Sequence, residues 1–304
     1  MSQSVSGYFS FNAKILLLFS VVFSLTSNAE PSKFTVYTVN YPLKYFAQRI
    51  GGKHIKVVFP VPENEDPAFW QPDSEQLVAF QQADMILLNG AKYAKWVEKV
   101  SLPMHRQVIT SDPFSNQYIQ TNSKTKHSHG NGKEHSHVGI AFTTWLDLSQ
   151  SIVQAEQIHL ALKNALPNHT KDFDAAFDKL KFELNQLDTE MKQVSNRIGN
   201  KNLIASHPVY QYMARRYELI ITPVIWEADI YPSDRQWREL DLLVSKRSAK
   251  WMIWESEPLD DSVATLKHRG VNSIVFAPLG NLPEQGDFLT QMRINIQQLQ
   301  KIVE

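Results

Sequence analysis

The chain has 304 residues, its 31 lysine and arginine side chains are matched by 31 aspartate and glutamate side chains, and it contains no cysteine. A formal net charge of zero excludes the general electrostatic attraction that draws strongly basic chains to nucleic acid or to an anionic membrane. Without cysteine there is no disulfide, no thiol nucleophile and no site for a lipid anchor on cysteine, so any ligand must be recognised by local groups.

The chain begins with an apolar segment typical of a signal peptide. Lys14 precedes the run ILLLFSVVFSLTSNA, which ends in small residues. The run suits a signal peptide better than a membrane span, which needs roughly 18 to 20 apolar residues. We expect residues 1–29 to be removed by cleavage after Ala29, and the rest to be soluble in the periplasm.

Residues 30–166 carry the pattern of an N-terminal α/β lobe. From Phe34, FTVYTV predicts a strand, NYPLKYFAQRIGG a turn and a helix ending near Gly51, and IKVVFPV a second strand. DSEQLVAFQQA predicts a helix capped at Asp73 or Ser74, and the apolar strand DMILLNG follows it. Strands that alternate with helices are typical of a parallel sheet with helices on its faces.

The stretch from about 113 to 139 interrupts this alternation. It is rich in Ser, Thr, Asn, Gly, Lys and His with almost no apolar residue to bury, so it predicts a mobile loop. Two His-x-His pairs flanked by glycine could wrap a divalent ion, with Glu134 as an added oxygen ligand. An inert polar loop is the alternative, although solvated segments seldom concentrate histidine. The expected loop ligands are His127, His129, His135 and His137.

The remaining elements predict a long helix and a second lobe. TWLDLSQSIVQAEQIHLALKNAL predicts a helix up to Pro167, and residues 167–198 predict a linking helix with apolar residues at three-and-four spacing. In residues 199–304 strands and helices alternate again, up to a closing helix. The predicted fold is therefore α/β, with two Rossmann-like lobes built on parallel sheets and joined by one long backbone helix. The apolar stripe of that helix comprises Phe173, Phe177, Leu180, Leu184, Leu187 and Met191.

Placed on these elements, five segments resemble the ZnuA-type substrate-binding proteins of zinc and manganese ABC importers. They are YPLKYFAQRIGG, DPAFWQPDSEQLVAFQQADMILLNG, TTWLDLSQSI, SHPVYQYMARRYEL and SIVFAPLGN. The resemblance covers nearly the whole chain after the apolar segment. It implies the helical-backbone (class III) periplasmic binding protein fold and a monomer that passes zinc, or a related divalent ion, to an ABC permease in the inner membrane.

The resemblance also implies a metal site in the cleft, with one ligand from each of four loops. His207 stands at the third ligand position and matches the family. Where the family has histidine after DP and histidine before WLD, this chain has Ala68 and Thr143, and Ala277 replaces the aspartate before PLG. One imidazole alone cannot hold zinc, so other groups must contribute if the cleft binds a bare ion.

Groups near these positions leave three interpretations open. Glu227 and Glu255 follow predicted strands and are expected, with His207, as tentative cleft ligands. The small residues at three ligand positions, together with Trp70 and Trp226, instead favour a cleft for a metal chelate or small organic molecule, unless the tryptophans simply close a core. A third interpretation is a periplasmic metal buffer without a transport partner.

The other chemistry-bearing residues predict no additional site. The sequence contains no Gly-x-Ser-x-Gly, no Gly-x-x-x-x-Gly-Lys and no His-Glu-x-x-His, so an enzyme is not expected. The remaining histidines are scattered over predicted helices and loops without partners at ligand spacing, and we interpret them as ordinary surface or structural residues. They are His54, His105, His159, His169 and His268.

Overall fold

The computed structural model describes Gly7, residues 33–127 and residues 135–304, and it describes side chains throughout these ranges except at 122–127 and 135–138. Residues 33–304 form one compact unit. The predicted signal peptide lies outside the described residues, Gly7 apart. In the ranges that are described, no helix is both long and apolar enough to cross a membrane.

The first half of this unit is built on a parallel sheet of four strands in the order β2-β1-β3-β4. The central strand β3 is buried along its whole length, as expected for a strand with helices on both faces. Three of the strands were predicted from their apolar patterns, but the three-residue strand β4 is too short to give one. The elements are β1 (Phe34–Thr38), α1 (Tyr41–Gly51), β2 (Ile55–Val58), α2 (Ser74–Gln82), β3 (Met85–Leu88) and β4 (Gln107–Ile109).

Local capping residues set where these two helices begin. Asn40 accepts a hydrogen bond from the backbone N–H of Leu43 at the start of α1. At the start of α2, Asp73 and Gln76 form a reciprocal capping box, which confirms the cap predicted there. Each cap satisfies backbone donors that have no partner within the helix.

The expected loop at 113–139 contains regular structure at all of its described residues except Tyr118 and Ile119, so the prediction of a loop is wrong for most of them. A short 3-10 helix spans Asp112–Gln117, and the strands β5 (Gln120–His127) and β6 (His135–Ile140) form an antiparallel hairpin. A hairpin needs only backbone pairing, which threonine and serine support without an apolar face, and therefore the polar pattern does not reveal it. Residues 128–134 lie outside the described residues.

Two helices follow the hairpin, α3 (Leu148–Ala165) and the long α4 (Thr170–Ile198). Every member of the predicted apolar stripe of α4 is buried. The helix packs against α1, α3 and the C-terminal helix. A single hydrophobic cluster therefore runs from the first half of the chain through α4 into the second half.

The second half repeats the parallel architecture, with four strands in the order β10-β9-β7-β8. Two parallel sheets and a long helix confirm the predicted α/β fold. The division into lobes 30–166 and 199–304 joined by a linking helix at 167–198 stays a prediction. The elements are β7 (Asn202–Ala205), α5 (Gln211–Arg216), β8 (Ile220–Pro223), α6 (Asp234–Arg247), β9 (Trp251–Trp254), α7 (Asp260–His268), β10 (Asn272–Val275) and α8 (Phe288–Gln300).

A buried carboxylate on α4 ties the long helix to the second half. The two oxygens of Asp188 accept hydrogen bonds from Nε and Nη2 of Arg216, at 3.1 and 2.8 Å, and one oxygen accepts from the hydroxyl of Tyr217 at 3.0 Å. Lys192 lies 2.7 Å from the same carboxylate. Burial raises the pKa of a carboxyl group, but these donors outweigh it and hold the pKa of Asp188 below its ordinary value.

We expect Asp188→Asn to lower the free energy of unfolding at pH 7 by about 1 to 3 kcal/mol, because the guanidinium of Arg216 loses the nearer of its two carboxylate partners. A lowered pKa stabilises the fold above the ordinary carboxyl value of about 3.9 and stops doing so as pH falls through the folded value, so the difference from wild type should shrink in acid. Urea unfolding at pH 7 and at pH 3 measures both effects. Asp178→Asn, an exposed carboxylate on the same helix, is the control; an equal loss in both variants would contradict the role given to Asp188.

Candidate metal centre

Three adjacent strands of the second sheet bring His207, Glu227 and Glu255 to one edge. The strands β9, β7 and β8 are neighbours and parallel, so the residues that follow their carboxyl ends meet at the same side of the sheet. Ser206 fixes the three loops to one another: its carbonyl accepts from the N–H of Trp226 at 2.9 Å, and its hydroxyl accepts from the N–H of Glu255 at 3.3 Å.

His207 is fully buried between the two carboxylates. Its Nδ1 lies 3.0 Å from Oε1 of Glu255, and its Nε2 lies 3.4 Å from Oε1 of Glu227. Burial alone would lower the pKa of the imidazole, but the negative charges of Glu255 and Glu227 outweigh it and raise the pKa of His207 to about 10. The ring is therefore protonated near neutral pH, and the three groups together carry one net negative charge.

The chemistry of this triad suits a divalent cation. Its members offer ligand atoms that all lie within 4.8 Å of one another. Imidazole nitrogen combined with carboxylate oxygen is a ligand set that zinc and other first-row ions accept. A divalent ion that replaces the ring proton would change the net charge of the group from minus one to zero. The two carboxylates contact different ring nitrogens, so an ion on Nε2 would have Glu227 beside it while Glu255 accepts from Nδ1–H.

Two of the other family ligand positions lie in the first half, and neither carries a strong metal ligand. Ala68 is fully buried, and its backbone N–H donates to Oδ1 of Asp66 at 2.9 Å. The hydroxyl of Thr143 donates to the backbone carbonyl of Val209, two residues beyond His207. Thr143 thus holds the loop after β7 by a hydrogen bond, where a histidine would offer a ligand.

At the fourth family position, the backbone of Ala277 is hydrogen-bonded to a side chain. Its N–H donates to Oδ1 of Asn295 at 3.0 Å, and its carbonyl accepts from Nδ2 of the same side chain at 2.8 Å. This arrangement anchors the segment after β10 to α8 and supplies no carboxylate. Among the four positions, His207 is therefore the one imidazole or carboxylate.

The two tryptophans considered as cleft walls lie in core packing. Trp226 packs against Trp237 and Trp254, with ring centroids 4.8 and 6.1 Å apart. Trp70 meets Trp96 edge to face at 6.3 Å. Both are almost completely buried. These contacts favour the interpretation that they close a core over the one in which they face a bound organic molecule.

The backbone register of the hairpin brings two of the expected loop histidines opposite each other. His127 at the end of β5 pairs with His135 at the start of β6, and His137 follows two positions later. His129 lies outside the described residues. Within the described residues, His127 and His135 therefore form the last pair of the hairpin, beyond a register shift between Asn122 and Lys126.

Three histidines that the sequence left without a role have partners: His159 and His54 lie beside carboxylates, and His169 stacks on His54. Nε2 of His159 lies 2.7 Å from Oδ1 of Asp174. His54, His169 and Asp172 offer ligand atoms within 4.8 Å of one another, so the interpretation that His54 and His169 lack partners at ligand spacing is wrong. His54 and Asp172 are 118 residues apart in sequence, and no local pattern signals that they meet.

Comparison with known proteins finds a family model and several proteins that resemble this chain. A family model described as zinc-uptake complex component A, periplasmic (ZnuA), matches residues 36–302. The zinc-binding protein AdcA of Streptococcus pyogenes serotype M3 is 25% identical over 315 residues, which cover 94% of this chain and 61% of AdcA. The manganese ABC transporter substrate-binding lipoprotein PsaA of Streptococcus pneumoniae is 26% identical over 234 residues, 71% of each chain. The crystal structure of the metal-dependent lipoprotein YcdH from Bacillus subtilis has a TM-score of 0.77 at 18% identity and covers 88% of this chain and 98% of YcdH.

Proposed function

We propose a function from one premise, that this chain belongs to the zinc-uptake complex component A family. The proposed function is to bind a divalent metal ion outside the cytoplasm, zinc in the first place, and to deliver it as a monomer to an ABC permease without any enzymatic step. The observation that carries the proposal is the buried imidazole of His207 between two carboxylates at the edge of three parallel strands. The relatives' names supply zinc and manganese as the ions to test. The chain spans about three fifths of the length of AdcA.

Each residue of the triad has a distinct proposed role. The ion takes the place of the proton on Nε2 of His207, and Glu227 binds it from the adjacent position. Glu255 accepts from Nδ1–H, which fixes the ring orientation and makes Nε2 a stronger ligand. With Nε2 of His207 and Glu227 as protein ligands, water would fill the remaining positions of a tetrahedral zinc site.

Zinc binding at His207 is expected to release about one proton per ion near neutral pH, because the ring is protonated before the ion arrives and must be neutral to ligate. A pKa raised from 6.5 to about 10 stabilises the metal-free fold below pH 6.5, and this stabilisation is lost as pH rises through 10. Zinc affinity should accordingly rise about tenfold per pH unit from pH 7 toward 9. Calorimetric titration in buffers of different ionisation enthalpy counts the protons.

The proton count is made on a chain whose four loop histidines are replaced by alanine, so that loop imidazoles add nothing to the signal. His207→Ala in that chain is the control and should release no proton. Tight zinc binding by the loop variant without proton release would contradict the assignment of Nε2 as a ligand.

The histidine-rich segment, residues 127–137, is proposed as an acquisition site that collects ions and passes them to the cleft. The pairing of His127 with His135 supports this, because the hairpin holds histidines from both strands near its end. A site built from a few histidines on such a hairpin would suit capture and exchange of an ion more than long retention. The apolar run before Ala29 supports export, which would place the protein where external zinc is met.

Delivery is tested in living cells. Uptake of radioactive zinc is compared in cells that lack this protein and in the same cells supplied with wild type or with His207→Ala. Restored uptake by wild type and not by the variant supports delivery through His207. Equal uptake in all three contradicts a transport role and favours a metal buffer.

A second candidate function keeps the fold and changes the ligand. Ala68, Thr143 and Ala277 together remove three metal-binding side chains from the family positions, which favours a cleft that holds a metal chelate or small organic molecule. In that case His207→Ala should have little effect on bare zinc but alter binding of the chelate. Titrating zinc with and without a small hydroxycarboxylate such as citrate separates the two candidates.

A further inference from the structure

A second group of metal-binding side chains lies where the connection after α1 meets the start of α4. His54 ends a short 3-10 helix just before β2, and His169 precedes the first turn of α4, which contains Asp172. All three offer a ligand atom within 4.8 Å of the others. None of them belongs to the triad around His207 or to the histidine-rich segment.

The contacts hold the two imidazoles on an apolar floor. Nε2 of His54 lies 2.8 Å from Oδ2 of Asp172. The rings of His54 and His169 stack with centroids 3.8 Å apart and planes 22° apart. Beneath them lies the fully buried ring of Phe173, whose centroid is 5.7 Å from that of His54 and 6.2 Å from that of His169. The floor restricts both imidazoles before any ligand arrives.

Exposure differs between the two members of the hydrogen-bonded pair. The side chain of His54 is 14% exposed and that of Asp172 is 64% exposed. A solvated ion can therefore reach the carboxylate first and the imidazoles second. An ordinary exposed ion pair would need neither the second stacked imidazole nor the aromatic floor.

We propose that His54, His169 and Asp172 form a second binding site for a first-row divalent cation such as zinc, distinct from the proposed cargo site. The ion would lie between Nε2 of His54 and Oδ2 of Asp172, with the ring hydrogen of neutral His54 on Nδ1 so that Nε2 offers its lone pair. An ion must lie near the plane of every ring that ligates it, so one of the two stacked rings turns as it binds. Water fills the remaining coordination positions at this exposed edge.

Such a site would join two elements that are distant in sequence. His54 belongs to the connection into the edge strand of the first sheet, and the other two ligands belong to the start of the long helix. An ion bound there would cross-link the first sheet to α4 and stabilise the folded chain by mass action. The site is thus proposed to be structural, and occupied independently of the cleft.

The test counts zinc ions in the full chain with His127, His129, His135 and His137 replaced by alanine, by titration against a chromophoric chelator. We expect one class of tight zinc-binding site, the cleft, and a second class of weaker site, the group of His54, His169 and Asp172. His54→Ala and Asp172→Asn should each remove the weaker class and leave the tight one, whereas His207→Ala should remove the tight class alone. His268→Ala, an exposed histidine on α7, should leave both.

A second readout separates metal binding from a folding role. Zinc should raise the Tm of the His207→Ala chain, and adding Asp172→Asn, which keeps the size of the side chain, should abolish that rise. Zinc should also shift the imidazole proton resonances that vanish in His54→Ala. Retention of the weaker class in both His54→Ala and Asp172→Asn, or a single class in their parent, would overturn the proposal. Loss of the tight class in His207→Ala alone would still support the cleft function.

Discussion

His207→Ala is expected to lower the zinc affinity of the cleft by more than about 100-fold, the upper end of the loss seen when only a supporting group is removed from a metal site. His207 is the one imidazole in the triad, and the two carboxylates that remain would have to hold the ion with oxygen alone. Competition with a chromophoric chelator measures the change, in a chain from which residues 127–137 have been deleted so that loop histidines cannot hide it.

Two conservative variants guard against a simple folding defect, because His207→Ala also leaves two carboxylates without the imidazole between them. Glu227→Gln removes a proposed direct ligand and should weaken zinc binding more than Glu255→Gln does. Glu255→Gln disturbs only the hydrogen bond to Nδ1 and should cost about 10- to 100-fold. His105→Ala, an exposed histidine, should change nothing. Unchanged affinity in folded His207→Ala would move the search to a chelate or to the loop.

Leu184→Ala is expected to lower the free energy of unfolding by about 2 to 5 kcal/mol, the range for removing a buried leucine side chain and leaving a cavity. Leu184 is fully buried in the stripe of α4, within the cluster that joins the two halves of the chain. The cavity left by the leucine side chain cannot easily collapse, because helices pack against α4 from several sides. Urea denaturation followed by circular dichroism measures the loss.

The matched control lies two residues away on the same helix. Phe182 is 62% exposed, so Phe182→Ala should change the free energy of unfolding by no more than about 0.5 kcal/mol although it removes a larger group. A similar loss of unfolding free energy in both variants would show that burial of the apolar stripe does not stabilise α4. In the folded fraction of Leu184→Ala, zinc affinity should equal that of wild type, because the residue does not touch the triad.

The sequence predicts the fold well where periodicity and capping act over a whole element. The apolar residues from Phe173 to Met191 share one face only if the segment is helical. Asp73 followed by Gln76 marks the start of a helix. Strand β4 escaped prediction because three residues carry too little pattern. The hairpin of β5 and β6 was not predicted because paired polar strands show no alternation of apolar and polar residues in the sequence.

The candidate site was only partly visible in the sequence. His207 could be identified because its segment resembles the family, and Glu227 and Glu255 because they follow strands that a parallel sheet aligns. That each carboxylate contacts a different nitrogen of one ring depends on side-chain packing, which sequence spacing does not encode. The meeting of His54 with Asp172 depends on how the first sheet lies against α4, which is a tertiary fact.

One measurement tests most directly whether this cleft holds a bare metal ion. Crystals of residues 30–304 grown with one equivalent of zinc would be measured on both sides of the zinc absorption edge, and the anomalous map would locate the ion. The proposed function predicts a single strong peak about 2.0 to 2.2 Å from Nε2 of His207 and from a carboxylate oxygen of Glu227. A map with no peak beside His207, and with zinc only at the histidine-rich segment or beside His54, would contradict it.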